Sequence, residues 1–287
     1  MSGSRVIGDW GGTRLRLWRL EDGEVAERRE GPGILTGGDP GETLAAILGD
    51  WPADRIVLCG MAGARGGLHE MPYLPCPVSA DQWRAQGKAH EFAGSRLRIA
   101  AGLSCRDASG RPDVMRGEET QIIGAMALEP ELATGTHLVL LPGTHSKWVR
   151  LDDGAIVGFR TCVTGELFAL LGRSSLFPEG EAAGNDNEGF AAGLQRADER
   201  GLMSTLFEAR AAQLVDGRSG NWAQGFLSGL LIGAEIVEMA PEGTVLVIGD
   251  AGLTARYGEA LARRGVPMRA MDGEACAIAG LRLIDED

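Results

Sequence analysis

Two short glycine–threonine turns carry the clearest chemistry in this 287-residue chain. Residues 9–13 read Asp-Trp-Gly-Gly-Thr, and residues 142–147 read Pro-Gly-Thr-His-Ser-Lys. Glycine in a tight turn lets backbone N–H groups approach an anion with no Cβ in the way, and the threonine hydroxyl adds a donor. Either turn alone would serve equally well as the start of a hairpin. Together, with Asp9 ahead of one and Lys147 inside the other, they favour a phosphate device built twice. A third feature is the adjacent carboxylate pair Glu118 and Glu119.

The elements that position these residues repeat. Residues 12–25 (GTRLRLWRLEDGEV) align without a gap to residues 143–156 (GTHSKWVRLDDGAI). Gly12/Gly143, Thr13/Thr144, Arg19/Arg150, Leu20/Leu151, Asp22/Asp153 and Gly23/Gly154 are identical. Two fainter echoes follow in the same order: residues 56–63 with 245–252, and 117–125 with 273–281. Three pieces in one order argue for duplication. Each half then supplies a Gly-Thr hairpin, a strand ending in a glycine turn, and a Gly-Glu helix. The predicted fold class is α/β, with two similar lobes and a cleft between them. Residues 1–130 form the first lobe and residues 131–287 the second.

Local patterns predict strands at 5–8, 13–20, 55–59, 97–100, 137–141 and 244–248. They predict helices at 40–49, 118–128, 222–239 with Ser219 as cap, 253–264 and 274–283. Asp22-Gly23 signals a hairpin. Residues 69–80 read as Pro-rich and irregular, and residues 180–188 as a mobile surface loop.

Composition narrows the function. The net charge is −12, which disfavours a nucleic-acid or anionic-membrane surface. The 44 glycines show no Gly-X-Y period, so they serve turns and close backbone approach in a folded domain. Five scattered cysteines form no C-x-x-C, and four histidines form no H-x-x-x-H pair. Each cysteine is expected to be a small buried residue, and the chain a reduced cytoplasmic protein without a structural metal. No signal or transit segment is expected, nor a membrane span.

Residues 9–16 (DWGGTRLR) resemble the first phosphate motif of the actin-like sugar kinases, and LLPGTHSKW (140–148) resembles their second. VIGDAGLTARYGEAL (247–261) resembles their adenosine motif. The blocks CGMAGARGGLHEMPYLPCP (59–77), AGLSCRD (101–107), PDVMRGEETQIIGA (112–125) and TGELFALLGRSSL (164–176) are similar to the 2-dehydro-3-deoxygalactonokinase family. The resemblance covers nearly the whole chain. It implies two actin-like, ribonuclease H-like lobes and ATP-dependent phosphorylation of the 6-hydroxyl of 2-dehydro-3-deoxy-D-galactonate, with Mg²⁺. Gly12 departs from the family pattern, which has a hydroxyl residue there, so one phosphate contact is expected to be missing.

Phosphoryl transfer needs positioning, charge neutralisation and removal of a proton. Under the resemblance Asp9 serves Mg²⁺ through water, since that ion keeps much of its hydration shell. Gly11, Gly12 and Thr13 face phosphate, as do Gly143, Thr144 and Ser146. Lys147 either neutralises phosphate or is a solvated strand lysine. Gly249, Gly252 and Leu253 lie along the adenosine, while Asp250 reaches ribose or caps a helix. Glu118 is chosen as general base and Glu119 is the runner-up; the plainer reading is that both acids favour the positive end of their helix. Arg65 is the candidate for the substrate carboxylate, with Arg116 as alternative, and Glu70 and Tyr73 contact sugar hydroxyls.

Competing readings are a kinase of this fold for another sugar or sugar acid, a sugar-sensing regulator, and a dinucleotide oxidoreductase. Gly60, Gly63 and Gly66 lack the G-x-G-x-x-G spacing that the last requires. Small molecules are the expected partners, and a homo-oligomer is compatible with the sequence.

Overall fold

The computed structural model describes residues 4–86, 89–174, 177, 187–199 and 201–285. In chain order the strands are β1 (Arg5–Trp10), β2 (Arg14–Glu21), β3 (Glu24–Pro32), β4 (Arg55–Gly60), β5 (Tyr73–Pro75), β6 (Val78–Ser79), β7 (Ala89–Phe92), β8 (Ser95–Ile99), β9 (Gly102–Arg106), β10 (Pro112–Met115), β11 (Thr136–Leu141), β12 (Ser146–Asp152), β13 (Ala155–Cys162), β14 (Val245–Gly249) and β15 (Met268–Asp272). The helices are α1 (Pro40–Leu48), α2 (Ala80–Arg84), α3 (Glu118–Leu128), α4 (Thr164–Leu171), α5 (Asn187–Arg196), α6 (Leu202–Val215), α7 (Gly220–Met239), α8 (Ala251–Arg263) and α9 (Gly273–Asp285). Among the described residues, one sheet has the order β3-β2-β1-β4-β8-β7, a second β10-β9-β5, and a third β15-β14-β11-β12-β13-β6.

The chain packs as two compact units. One comprises residues 1–139, 149–160 and 271–287; the other comprises residues 140–148 and 161–270.

In the first unit β1 runs antiparallel to β2 and parallel to β4, and β4 runs parallel to β8. Alternation along β1 sends Val6 and Trp10 to a core with Leu15, Leu17, Leu44, Ile56 and Leu58. Ile7 and Asp9 therefore share the opposite face. Asp39 caps α1 through Glu42 N, and Pro40 opens it.

The two echoed helices, α3 and α9, pack on each other at their matched glycines. A Cβ on Gly124 would lie 1.8 Å from Cys276 O, and one on Gly280 would lie 2.1 Å from Thr120 O. In the repeat register Thr120 matches Cys276 and Gly124 matches Gly280. Each helix thus offers the other the same pair of positions, an isologous contact of the kind a two-fold axis produces.

In the second unit Ser219 caps α7 as expected, its hydroxyl accepting from Trp222 N. Helix α5 lies so close to α7 that a Cβ on Gly189, Gly193 or Gly229 would meet backbone oxygen at 2.1–2.2 Å. Around them Trp222, Phe226, Leu227 and Leu230 form a second core with Ala209 and Leu206 of α6.

Most predicted elements are present within a few residues. The hairpin turns match as the repeat requires: Asp22 and Gly23 have φ of 50° and 84°, Asp153 and Gly154 45° and 75°. That left-handed pair is the I′ turn that Asp-Gly favours. The stretch 69–80 is less irregular than expected, because β5 and β6 pair with β9 and β13. Of the expected mobile loop, residues 180–186 lie outside the described residues, while Asn187 and Glu188 open α5. All five cysteines are free, but only Cys59 and Cys276 are buried; Cys105 and Cys162 are half-buried on β9 and β13, and Cys76 is half-buried in the bend between β5 and β6.

The helix crossing makes a direct prediction. Gly124→Ala or Gly280→Ala should destabilise the protein by about 1–3 kcal/mol or more through overpacking against backbone that cannot rotate away. Gly158→Ala, with open space around its Cβ, should stay within about 0.5 kcal/mol of the parent in a urea titration.

Candidate active site

In the first unit, sheet register assembles the site around Asp9. Arg16 on β2 and Cys59 on β4 are its two cross-strand partners. The Arg16 guanidinium donates to Asp9 Oδ2, and Cys59 Sγ lies 3.6 Å from Oδ1. Arg16 also lies 3.8 Å from Glu274 Oε2, and Glu274 accepts from Trp18 Nε1 at 3.3 Å and Arg28 Nη1 at 3.0 Å. Burial pulls the Arg16 pKa down, but the Asp9 charge and hydrogen bond outweigh it and hold the guanidinium above its ordinary range. Burial beside Asp9 and Glu119 drives the Cys59 thiol well up, so it stays protonated.

The turn after β1 is closed by Gly11 N donating to Arg14 O at 2.8 Å. Gly11 and Gly12 are half-buried and Thr13 is exposed, so the turn is open to a ligand. At the start of α3 the two acids diverge. Glu119 is fully buried, and both its oxygens accept from Gly117 N at 2.8 Å. Desolvation, then the neighbouring Glu118 charge, push its pKa to about 8. Glu118 is half-buried and accepts from Arg116 N at 3.0 Å. Gly117 has φ of 113°, and a Cβ there would lie 3.2 Å from Gly60 Cα, so glycine is required where the helix start meets the end of β4.

Of the candidate substrate residues, Arg65 and Glu70 are exposed. Arg116 stacks on the Tyr73 ring at 4.2 Å, donates from Nη2 to Met71 O at 2.8 Å, and directs Nε to Tyr73 Oη at 3.4 Å. Its Nη1 is buried without a hydrogen bond, packed over Gly63. Arg116 and Tyr73 are therefore brought together, with the guanidinium turned toward the 63–73 segment.

In the second unit Gly143 is half-buried and Thr144 exposed, as their counterparts Gly12 and Thr13 are. Ser146 and Lys147 point inward. Ser146 is fully buried with Oγ 2.9 Å from Tyr257 Oη, and Lys147 is 4% exposed with Nζ donating to His145 O at 3.3 Å. Lys147 is thus not a solvated strand lysine. Asp250 caps α8, its Oδ1 accepting from Gly252 N at 2.9 Å and Leu253 N at 3.1 Å. Gly249 lies against Pro142, so the end of β14 adjoins the Gly143 turn.

Residues Gly143, Thr164, Gly165, Phe168, Leu231, Leu253 and Tyr257 line one mostly apolar pocket in this unit. The sequence pointed to Gly143 and Leu253 and missed the α4 and α7 walls. Behind the pocket sits Glu235, buried toward the C-terminal end of α7. It accepts from Trp148 Nε1 and Tyr257 Oη, each at 2.7 Å, and from the Thr164 hydroxyl. Burial pushes its pKa up against these hydrogen bonds. One carboxyl thus ties β12, α4, α7 and α8 together. A lone acid inside the apolar run 226–237 was the available signal for it.

Magnesium is implied by the resemblance, and the donor set fits it. Asp9 offers hard carboxylate oxygen, with Oδ1 facing only the weak Cys59 donor. Among the described residues no three His, Cys, Asp or Glu side chains converge as a cage. An ion carried by nucleotide phosphates needs none, because it keeps waters and takes one or two carboxylates.

Comparison with known proteins sets this geometry in a family. The family model described as 2-keto-3-deoxy-galactonokinase matches residues 9–284. A protein of Rhizobium meliloti (strain 1021), described as a probable 2-dehydro-3-deoxygalactonokinase, is 40% identical over 95% of this chain and 94% of its own. The 2-dehydro-3-deoxygalactonokinase of Escherichia coli (strain K12) is 36% identical over 99% and 98%. A crystal structure of a Sinorhizobium meliloti protein of the same kinase name superposes with a TM-score of 0.85 at 35% identity, covering 98% of each chain. Spiroplasma citri MreB 5 bound to AMPPNP, at 12% identity and a TM-score of 0.50 over 100% of this chain and 97% of its own, shares the actin-like fold.

The Glu119 proton has a thermodynamic signature. The folded state holds a proton that the unfolded chain releases above its ordinary pKa of 4.5, so this group's stability contribution is full below about pH 4.5 and falls as pH rises through about 8. Glu119→Gln should match the parent near pH 4.5 and exceed it in urea midpoint near pH 8. Parallel stability curves for the two proteins would refute the assignment.

Proposed function

The chain belongs to the 2-keto-3-deoxy-galactonokinase family, and from that membership we propose that it transfers the γ-phosphoryl group of ATP to the 6-hydroxyl of 2-dehydro-3-deoxy-D-galactonate. It is a kinase acting on a sugar acid, and ATP is its co-substrate. The observation that carries the site assignment is the pair of matched turns, Gly11–Thr13 and Gly143–Thr144, each with exposed threonine and half-buried glycine. Each turn supplies N–H and hydroxyl donors to phosphate oxygens, which need no basic surface. Residues 1–130 serve the sugar acid and carry the first phosphate turn, and residues 131–287 carry the second phosphate turn and the adenosine site, a division by ligand rather than by packing.

Asp9 would hold Mg²⁺, which when bound neutralises phosphate charge. Arg16, paired with Asp9 across β1 and β2, holds that carboxylate in a fixed orientation. The apolar pocket beside Gly143 and Leu253 suits a nucleobase, and Gly249 and Gly252 are assigned to the rest of the adenosine. Ser146 and Lys147 contribute from behind the turn, Ser146 through Tyr257 and Lys147 through the His145 carbonyl.

Glu118 takes the proton from the attacking hydroxyl. A general base must reach the substrate and be ionised at working pH. Glu119 meets neither condition, being enclosed and holding its own proton up to about pH 8. Glu118 is accessible, and Arg116 N holds one of its oxygens. Arg65, exposed on the turn after β4, meets the substrate carboxylate, with Glu70 and Tyr73 toward the sugar hydroxyls. Arg116 keeps Tyr73 in place by stacking. The same reading puts the enzyme in the cytoplasm; no helix among the described residues is long and apolar enough to cross a membrane.

Coupled ADP-release assays across a panel of sugar acids test the activity, and 2-dehydro-3-deoxy-D-galactonate should give the highest kcat/KM. Glu118→Gln should lower kcat by about 10²–10⁴-fold, the usual contribution of a general base, while Glu119→Gln keeps most of it. Parent-like turnover in Glu118→Gln would remove Glu118 from the role.

A further inference from the structure

Each Gly-Thr turn has a second glycine pressed against its back, and the ungapped alignment of residues 12–25 with 143–156 stops short of both. Gly33 lies twenty-one residues after Gly12, and Gly165 lies twenty-two after Gly143. Gly33 follows the last residue of β3, and Gly165 is the second residue of the helix that follows β13. A Cβ on Gly33 would lie 2.3 Å from Gly12 C, Gly12 O and Thr13 N. A Cβ on Gly165 would lie 2.3 Å from Gly143 O and 2.9 Å from Thr144 Cα. The obstacle in both places is backbone of the turn itself, which cannot swing aside as a side chain would.

Hydrogen bonds reinforce both contacts. Ile34 N donates to Gly11 O at 3.2 Å and Leu35 N to Gly12 O at 2.9 Å. Glu166 N donates to Thr144 O at 2.9 Å. These bonds take carbonyl oxygens of the turns on the side of the backing segment. A peptide whose carbonyl is held from behind presents its N–H groups in a fixed direction, which is what preorganised binding of an oxyanion requires.

We propose that Gly33 and Gly165 are paired positioning residues of the phosphoryl-transfer reaction, each setting the depth and aim of one phosphate turn. Both act from behind their turns, and Gly165 also borders the apolar pocket. The backing segments 33–35 and 164–166 act as fixed stops, and only a residue without Cβ lets the stop reach the turn. Both arise at the end of the third strand of a repeated hairpin, so the stop belongs to the duplicated unit along with the turn it supports. The inference rests on the reading that these turns hold nucleotide phosphate.

The test is a set of single substitutions assayed for KM of ATP, KM of the sugar acid and kcat, with folding followed by circular dichroism. Thr13→Ala and Thr144→Ala test the underlying reading, since unchanged KM for ATP in both would refute phosphate binding at the turns. Given a rise there, Gly33→Ala and Gly165→Ala should each lower kcat/KM for ATP by about 10²-fold, the loss expected from misplacing a site by about 1 Å. KM for the sugar acid should stay within about twofold. Gly158→Ala should change none of these. Parent-like kcat/KM for ATP in folded Gly33→Ala and Gly165→Ala, or an equal rise in both KM values, would overturn the positioning role while leaving the turns' own role standing. A measurement on the parent protein removes dependence on variant folding. On adding ADP, hydrogen exchange at the Leu35 and Glu166 amides should slow by about tenfold or more, and unchanged exchange at both would overturn the proposal.

Discussion

The crossing of α3 on α9 is the contact on which the chemistry of the first unit hangs. It is a backbone-to-backbone contact, and each helix keeps a glycine at the crossing although glycine costs a helix interior about 0.5–1 kcal/mol relative to alanine. The gain is distance. With Cβ atoms absent at Gly124 and Gly280, each helix sits against the other's peptide oxygen. That close seat fixes the two N-termini. One presents Gly117, Glu118 and Glu119. The other presents Glu274, which grips Arg16 and Arg28, and through Arg16 reaches Asp9. At its far end α9 is held by Asp285, buried between Arg5 and Arg55. The carboxylates that matter are therefore placed by main-chain packing rather than by side-chain adjustment.

The acidic balance of the chain then has a local resolution. Asp9 is compensated by Arg16, with Glu274 beside it also satisfied by Arg28 and Trp18. Glu119 and Glu235 are buried, and both have raised pKa values because desolvation outweighs the donors around them. Both acids work as hydrogen-bonding struts. Glu119 braces the first turn of α3, and Glu235 braces the wall of the apolar pocket. Under the proposed function, phosphate oxygens would meet uncharged donors on the two turns, which would let a protein at −12 hold polyphosphate without a basic surface.

The strands predicted at 5–8, 13–20, 55–59, 97–100, 137–141 and 244–248, the long helix and its Ser219 cap were legible because each has a strong local cause: an apolar run or alternation, 3.6-residue spacing, or a side chain that satisfies an orphan N–H. The repeat was legible because Asp-Gly at 22–23 and 153–154 is demanded by left-handed backbone geometry. The actin-like architecture followed from motifs spread over the chain. Glycine was only half legible. Its excess was read as turns, close backbone approach and duplication, but not which glycines make the approach: Gly189, Gly193 and Gly229 serve a helix crossing, and Gly33 and Gly165 press on the backs of turns. Close approach over long sequence separation leaves no local pattern to find. Glu235 was hidden for the same reason, since its partners Trp148, Thr164 and Tyr257 come from three distant elements. The choice between Glu118 and Glu119 turns on burial, which helical spacing alone did not resolve for adjacent residues.

Duplication supplied two copies of one hairpin, and their differences divide the work. In the register that aligns Gly12 with Gly143, Asp9 falls opposite Leu140, so the acid at the end of the first strand exists in only one half. Arg16 falls opposite Lys147: the arginine pairs with Asp9, whereas the lysine, with no acid at that position, folds back on the His145 carbonyl. Leu17 falls opposite Trp148, and only the tryptophan has an indole N–H to give to Glu235. The first copy thus gained a charge pair at the turn, and the second exchanged it for a buried polar network behind an apolar pocket. A reaction that needs one charged, metal-facing side and one side that holds a nucleobase requires such an asymmetry. Under the proposed function, the matched turns and backing glycines would be what both halves kept, because phosphate oxygens would make the same geometric demand of each.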